Sequence, residues 1–475
     1  MAWYNWGGGG GYDAIKKTGN RKTLSTSNGS HEMQLSNSER KKAVANTRDL
    51  RRNMIIVSWA VRKHLDYISD FKYKSKTDNT ELKAYMENKV KEWSKAKSFD
   101  QAGKVNLRKG LRLLESSRFL DGDVFSYKLR NGRLQFIEGD RVADMKRPNE
   151  SISDKEFWCQ GIKINPKTGR RSAIRVGKRK GNGLEWLADI SAKNIIDLAY
   201  MERFDQERGV SPLMAAIQTF QDNAEGFDYS LQKLKIGQLM GMVFTRDAED
   251  HFKQSDSDIS LSADLAGVDD GAREGYEVDF GQSNLISADL EPGEDLKIIE
   301  SANPANEVQA FLTLTIELAI KAFDFPTSFF DSTKANFAGS RSDDISYKKS
   351  CSTKKEDLVE WLDEWIAFKI QHDILNGDTY LAEHISNIKG EWVSTGTEWW
   401  DTLKQSKGAA AMIGMSLDNP ERIAKELGTD IYENIDATAR VMKYADSKGV
   451  PFILAGVTGA GDVSDDEMPV KEDRK

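Results

Sequence analysis

The ten residues Phe204-Asp205-Gln206-Glu207-Arg208-Gly209-Val210-Ser211-Pro212-Leu213 separate two regions of different character. Before them lie short apolar runs typical of β-strands, and after them, from Leu213 to Leu239, apolar residues recur at helical spacing. Ser211 is a possible helix cap, and Pro212 is tolerated because a first-turn proline leaves no amide unpaired. The stretch therefore predicts the end of a β-rich region and the start of a long helix.

A second helical run follows Leu290-Glu291-Pro292-Gly293-Glu294-Asp295-Leu296 and ends at Phe323-Asp324-Phe325-Pro326. Pro304 restarts the helix and Pro326 stops it. Between the two helical runs, Asp247 to Glu300 contains sixteen Asp or Glu residues against three Lys or Arg residues. This order predicts a helical hairpin with a long acidic tip.

The charge is segregated along the chain. Residues 1–112 contain 24 Lys or Arg against 11 Asp or Glu, the reverse of the acidic tip, although the net charge of the whole chain is −7. Charge runs are usually solvated faces. Segregation on this scale suits a protein whose different parts contact different partners. The negative net charge argues against a protein whose whole surface coats DNA.

The overall composition limits the class of protein to which this chain can belong. The chain has 475 residues, of which 39% are hydrophobic and 30% charged, which is typical of an ordinary soluble protein of two to four domains. No apolar run approaches the length of a membrane-spanning helix. Cys159 and Cys351 are the only cysteines, which excludes a disulfide framework and fits a reducing compartment.

Residues 37–205 mix helices with strands. The apolar spacing from Asn37 to Val61, with Ser38 as a possible cap, predicts a long or broken helix, and further helices are predicted at Asp78–Trp93 and Val105–Leu114. Two hairpins follow, and the first is centred on Asn131-Gly132, a strong turn signal. The predicted strands are Val124–Leu129, Leu134–Ile137, Gly161–Ile164, Ser172–Val176 and Ile195–Tyr200.

Four phrases, in this order, resemble the lambda-type bacteriophage portal proteins: Thr47–Asn53, similar to an arginine-rich helix start in that family, then Phe204–Leu213, Leu290–Leu296 and Phe323–Pro326. The resemblance extends from about Gly11 to about Lys448. It implies an α+β fold with a β-rich wing, a two-helix stem, an extended clip and a helical C-terminal crown. The implied segments are 1–36 (flexible arm), 37–205 (wing), 206–240 (first stem helix), 241–303 (clip), 304–325 (second stem helix), 326–342 (channel loop), 343–405 (long helix and wing), 406–460 (crown) and 461–475 (acidic tail).

The resemblance also implies a function. A portal forms a ring, typically of twelve subunits, at one capsid vertex, and double-stranded DNA is packaged and ejected through its channel without sequence-specific binding. The implied partners are the large terminase subunit, the major capsid protein, scaffold and the head-completion or tail-adaptor protein. The expected location is the virion, after assembly in the host cytoplasm, with no membrane contact and neither enzymatic activity nor a cofactor. A nuclease or other packaging enzyme of the same assembly stays open as the alternative.

The candidate site residues follow from that scheme. Lys334 and Arg341, in the expected loop Thr327–Arg341, are candidates for approaching DNA in the channel. The candidates for motor docking on the acidic tip are Asp269, Asp270, Glu274 and Glu277. The candidates for subunit assembly are Arg48, Arg51 and Arg52.

Signatures of catalysis are weak in this sequence. No glycine-rich loop ends in Lys-Ser or Lys-Thr, as a nucleotide-hydrolysing motor requires. No His-x-x-x-His pair occurs among the five histidines. Asp121-Gly122-Asp123 and Glu138-Gly139-Asp140 suggest either a metal site or turns, and their place beside hairpin strands favours turns. Trp361 and Trp365 share a helical face with Leu358 and Leu362, which favours burial over base stacking.

Overall fold

The computed structural model describes residues 35–147, 157–181, 183–239, 243–246, 294–297, 306–394 and 402–450. The chain divides into two compact units, one formed by Met1–Pro212 with Asp331–Lys475 and the other by Leu213–Phe330. The antiparallel sheets and many helices confirm a mixed α and β fold.

The first unit begins with a helix broken at Met54, as the apolar spacing predicts. Ser36 caps helix α1 (Asn37–Asn53): its hydroxyl accepts a hydrogen bond from the Glu39 amide, and the Glu39 carboxylate accepts one from the Ser36 amide. The cap is therefore Ser36 and not the expected Ser38. Helix α2 spans Ile55–Ile68. Thr47–Asn53 therefore lies at the end of α1, and the expectation of a helix start there was wrong because the capping box sets the start further upstream.

Three further helices follow a strand that the sequence did not predict. They are α3 (Thr80–Trp93), the short α4 (Ala96–Phe99) and α5 (Leu107–Asp121), the first and last close to the predicted positions. Strand β1 (Phe71–Ser75) precedes them and pairs antiparallel with β11 (Gly390–Ser394). The partner lies more than three hundred residues away, so no local pattern indicates this pairing.

Two sheets form the β-rich part of the first unit. The first has the order β3 (Leu134–Glu138), β2 (Asp123–Lys128), β8 (Ile195–Ala199), and its β2–β3 hairpin confirms the Asn-Gly prediction. The second runs β4 (Phe157–Cys159), β5 (Ile162–Ile164), β6 (Arg171–Lys180), β7 (Gly183–Ser191). Both sheets contribute to one apolar cluster: Phe125, Ile137, Val142, Ile174, Val176 and Ile195.

A helix of 39 residues, α9 (Phe337–Leu375), crosses the first unit. Trp361 and Trp365 are 2% and 0% exposed, which confirms their predicted burial. Helix α10 (Thr379–His384) follows and leads to β11. Beyond it lie α11 (Thr402–Gly414), α12 (Pro420–Glu426) and α13 (Ile431–Ser447), and the chain turns between the last two at Gly428, with φ +71°.

The expected channel loop is mostly helical. Thr327–Phe330 forms one helical turn, α8, and Ser332–Lys334 forms a 3-10 turn. Asn336 then caps α9 by accepting a hydrogen bond from the Gly339 amide at 2.7 Å. Because asparagine is a strong N-cap, the long helix begins at Phe337 and already includes Arg341, and the expectation of a loop through residue 342 was wrong.

The second unit is a helical hairpin. A 3-10 turn at Pro212–Ala216 leads into α6 (Ile217–Leu239), and α7 (Asn306–Ala319) continues as a 3-10 turn to Phe323. These helices confirm the two predicted runs. Strands β9 (Val243–Arg246) and β10 (Glu294–Lys297) pair antiparallel after α6 and before α7. The rest of the acidic tip, with Asp269, Asp270, Glu274 and Glu277, lies outside the described residues.

Candidate functional site

Arg208, in the middle of the stretch that separates the two regions, is a buried anchor of the first unit. Its guanidinium has five N–H donors, and all five meet acceptors. Two donate to the Asp123 carboxylate at 2.7 and 3.0 Å. The other three donate to the carbonyl oxygens of Val142, Gln160 and Gly139, each at 2.7 Å. The side chain is 1% exposed, so this set of bonds fixes the chain where the β-rich region ends.

Asp123 is the centre of this anchor. Besides Arg208 it accepts hydrogen bonds from Arg40 at 2.9 Å and from the Gly209 amide at 3.1 Å. Burial by itself would raise the pKa of the Asp123 carboxyl, but the two neighbouring guanidinium groups outweigh that effect and hold the pKa below its usual range. The backbones also meet closely here, since a Cβ on Gly209 would lie 2.0 Å from the Gly122 carbonyl oxygen.

A second set of ion pairs continues from the first. Arg48 donates to both oxygens of Asp121, at 2.8 and 2.6 Å, and approaches Glu138 and Asp140. Arg179, on β6, pairs with Glu138 and Asp140 from the other side. We call the four arginines and four carboxylates together the arginine cluster: Arg40, Arg48, Arg179, Arg208, Asp121, Asp123, Glu138 and Asp140.

The two Asp/Glu-Gly-Asp phrases are thus turns whose acids bind arginines. Gly122 ends α5 at φ +95°, and Gly139 begins a 3-10 turn. Sequence reasoning found the turns but missed the arginines, because Arg208 and Asp123 are 85 residues apart. Among the described residues, no group of three or more His, Cys, Asp or Glu side chains is placed to hold a metal ion.

The three assembly candidates have different surroundings. Arg48 is engaged by carboxylates of its own chain in the arginine cluster. Arg51 is half-buried and donates to the Ser116 hydroxyl on α5. Arg52 is 72% exposed and pairs with the exposed Asp49. The structure therefore does not bring the three guanidinium groups together at one surface, and Arg52 is the most accessible of them.

A buried polar network surrounds His64. The His64 ring lies between Glu115, at 2.9 Å, and the Tyr347 hydroxyl, at 3.1 Å. Burial lowers the pKa of His64, and Arg118 beside Glu115 helps to hold the pKa of that carboxyl below its usual range despite its burial. His64 and Glu115 are both 0% exposed, so this arrangement offers a substrate no direct access and acts in packing α2 against α5 and α9.

The hairpin of the second unit is joined by a close helix contact. The Asn223 amide on α6 donates to the Leu312 carbonyl at 2.8 Å and to the Thr315 hydroxyl at 2.6 Å. Gly226 faces Leu312 so closely that an added Cβ would lie 2.9 Å from it. The glycine that weakens α6 by propensity therefore permits the approach of α7.

Both hairpin helices leave apolar side chains exposed. On α7, Phe311, Leu314 and Leu318 are 62%, 52% and 60% exposed, and their spacing places them on one helical face. On α6, Phe227 and Leu231 are 60% and 39% exposed. We call these two sets the α7 stripe and the α6 stripe.

The two channel candidates lie on either side of the start of the long helix. Lys334 ends the 3-10 turn Ser332–Lys334. Arg341 is half-buried and lines a cleft of about 380 Å³ formed with α11 and α12. Lys404 and Arg422 line the same cleft, together with Asp418 and Glu426, so the basic charge at Arg341 has acidic as well as basic neighbours.

In the described part of the chain, every helix is too short or too polar to cross a membrane. No curated protein matches this sequence. Among solved structures, the neck of an empty GTA particle computed with C6 symmetry has 13% sequence identity and a TM-score of 0.51, covering 81% of this chain and 94% of that one. The virion of a native gene transfer agent particle matches at 13% identity with a TM-score of 0.48, covering 83% of this chain and 99% of that one.

At this identity the first of these structures shows a shared fold, and the family model goes further. Residues 18–353 match the model of the phage portal protein, lambda family. That match spans more than half of the chain and includes Thr47–Asn53, Phe204–Leu213 and both hairpin helices. The chain belongs to the lambda family of phage portal proteins.

Proposed function

We propose that this protein assembles as a closed ring of twelve identical subunits at one vertex of a phage-like particle, and that double-stranded DNA enters and leaves through the channel of that ring. Family membership and the fold shared with a particle neck support this role. The observation that carries it in this chain is the pair of exposed apolar stripes on the helical hairpin.

The α7 stripe and the α6 stripe require a partner. Burying one leucine or phenylalanine side chain stabilises an assembly by about 1.5–3 kcal/mol, so leaving five exposed to water is costly. A closed ring uses heterologous contacts, in which one patch meets a different patch on the neighbour. Packing the α7 stripe of one subunit against the α6 stripe of the next satisfies this requirement and places the hairpins side by side around the channel.

The ring would hold DNA weakly. Each phosphate bound by Lys or Arg adds affinity that depends on salt, and tight binding would stall movement of the duplex. We assign Lys334 and Arg341 to the approach to DNA, because they are the basic side chains of the segment from Thr327 to Arg341, which follows the second hairpin helix. The acidic neighbours of Arg341 in its cleft would limit the strength of any phosphate contact.

The acidic tip and the wing would meet the other components. Multiplied around a ring, the charge excess of Asp247 to Glu300 gives a strongly negative collar. We assign that collar, with Asp269, Asp270, Glu274 and Glu277, to docking of the large terminase subunit and later of the head-completion or tail-adaptor protein. The wing and crown would contact scaffold and the major capsid protein, and the exposed Arg52 is our candidate for a contact between subunits.

Replacing Leu314 and Leu318 with lysine tests the ring contact. The double variant should keep its helix content by circular dichroism but sediment as a monomer, since two charges in an apolar contact oppose burial. The matched control places lysines at two exposed polar positions of the same hairpin, Gln221 and Gln309, and should sediment as the wild-type assembly. Ring formation by the Leu314/Leu318 variant at wild-type yield would refute the assigned contact.

A further inference from the structure

Helix α13 (Ile431–Ser447) has little support from its own chain. None of its residues is buried, and only Ile431, Thr438 and Ala445 are half-buried. At about 100° per residue these three positions fall on one narrow edge of the helix. Two ion pairs hold its beginning, Asp430 to Lys76 and Glu433 to Lys74.

The side of α13 opposite that edge is charged. It carries Glu433, Asp436, Arg440 and Lys443, all exposed. Acidic residues come first along this side and basic residues last, an order that complements the helix dipole and suits a face in contact with water.

The two flanks between these sides are apolar except for Asn434 and Asp446. The first flank has Tyr432 and Ile435 at 58% and 57% exposure and Met442 at 37%, with Ala439 between them. The second flank has Val441 and Tyr444 at 48% and 66% exposure, with the exposed Ala437 beside them. The centres of the two flanks are roughly 170° apart around the helix axis, at 3.6 residues per turn.

We propose that α13 packs side by side with its copies in neighbouring subunits, so that the first flank of each helix contacts the second flank of the next. This seam rests on the proposed ring. A single bound peptide or protein would require one apolar flank, whereas two opposite and different flanks fit a helix with a neighbour on each side. A heterologous ring supplies that arrangement at every subunit.

The geometry of α13 allows a cross-linking test on the full-length assembly. Ala439→Cys lies on the first flank and Val441→Cys on the second, about 3 Å apart along the helix axis, so copies at one level bring the two positions together. Within one helix the two side chains point about 160° apart, away from each other, which excludes a disulfide between them. Any disulfide between these two positions must therefore join different subunits.

Assemblies of the double-cysteine variant are oxidised and separated on a non-reducing denaturing gel, with each single-cysteine variant as a control that retains Cys159 and Cys351. A ladder of cross-linked subunits from the double variant, absent from both single variants, supports the seam. Rings that sediment normally but give no ladder with either the oxidant or a short bis-maleimide overturn the seam while leaving the proposed ring intact. A wild-type chain that sediments only as a monomer overturns the ring and the seam with it.

Discussion

At the residue scale, the arginine cluster explains why the stretch around Arg208 divides the chain. The acceptors of Arg208 come from the start of β2, the turn after β3 and the turn before β5. A bidentate pair between a guanidinium and a carboxylate fixes orientation as well as distance. Arg208 therefore fastens the end of the β-rich region to several elements at once, just before Pro212.

Asp123→Asn should destabilise the first unit strongly. Removing one partner of a buried ion pair typically costs about 3–5 kcal/mol, because the remaining charges lose their compensation. The measurement is chemical unfolding of the variant against wild type. The control Asp49→Asn removes an exposed ion pair with Arg52 and should cost about 0–1 kcal/mol.

The stability difference between Asp123→Asn and wild type should also depend on pH. Because the folded-state pKa of Asp123 is depressed, its contribution is present above the unfolded-state pKa of about 3.9 and is lost as the pH falls through the lower folded value. The difference should therefore be largest near neutral pH and shrink in strong acid. A difference that grows on acidification would contradict the assignment of Asp123 as the ionised centre of the cluster.

At the element scale, local patterns predicted much of the structure. The Asn-Gly turn located the β2–β3 hairpin, and the periodicity located both hairpin helices and the buried face of α9. The β1–β11 pairing and strand β7 were missed, because such pairings depend on distant partners or on side chains that do not alternate cleanly. The predicted loop after Pro326 was too long, because Asn336 was not recognised as the N-cap of the helix that begins at Phe337.

Replacing both Lys334 and Arg341 with alanine tests the proposed DNA approach. We expect packaged DNA content or its retention to fall, since the two basic side chains of the segment from Thr327 to Arg341 are lost, while ring yield stays at the wild-type level. The measurements are genome content per particle and sedimentation of isolated rings. A matched control changes Lys348, a basic residue paired with Asp344 on the same long helix, to alanine. Normal DNA content in the double variant would exclude these side chains from the channel role.

At the scale of the whole molecule, the exposed apolar surface and the segregated charge are the basis of the proposed assembly, in which different parts of the subunit meet different partners. The hairpin stripes and the two flanks of α13 are apolar and suit contacts between copies. The acidic tip suits a basic partner, and its carboxylates would act mainly on the rate of association. Sequence alone predicted the hairpin and the charge but not the flanks of α13, because their exposure depends on what the rest of the chain leaves uncovered.

Neutralising Asp269, Asp270, Glu274 and Glu277 to Asn or Gln should slow binding of the large terminase subunit at low salt and have little effect at high salt. Exposed charges are screened over about 10 Å at 0.1 M salt, so the two conditions separate long-range attraction from contact. The measurement is the association rate with isolated rings across a salt series. An unchanged rate at low salt would assign these acids to a solvated face.

The central claim is that copies of this chain close into a ring around a channel. The most direct measurement is the rotational symmetry of the purified wild-type protein in electron-microscopic class averages. We predict closed rings with one central opening and twelve subunits. Monomers, or open filaments of the kind that an unclosed heterologous contact produces, would contradict the account.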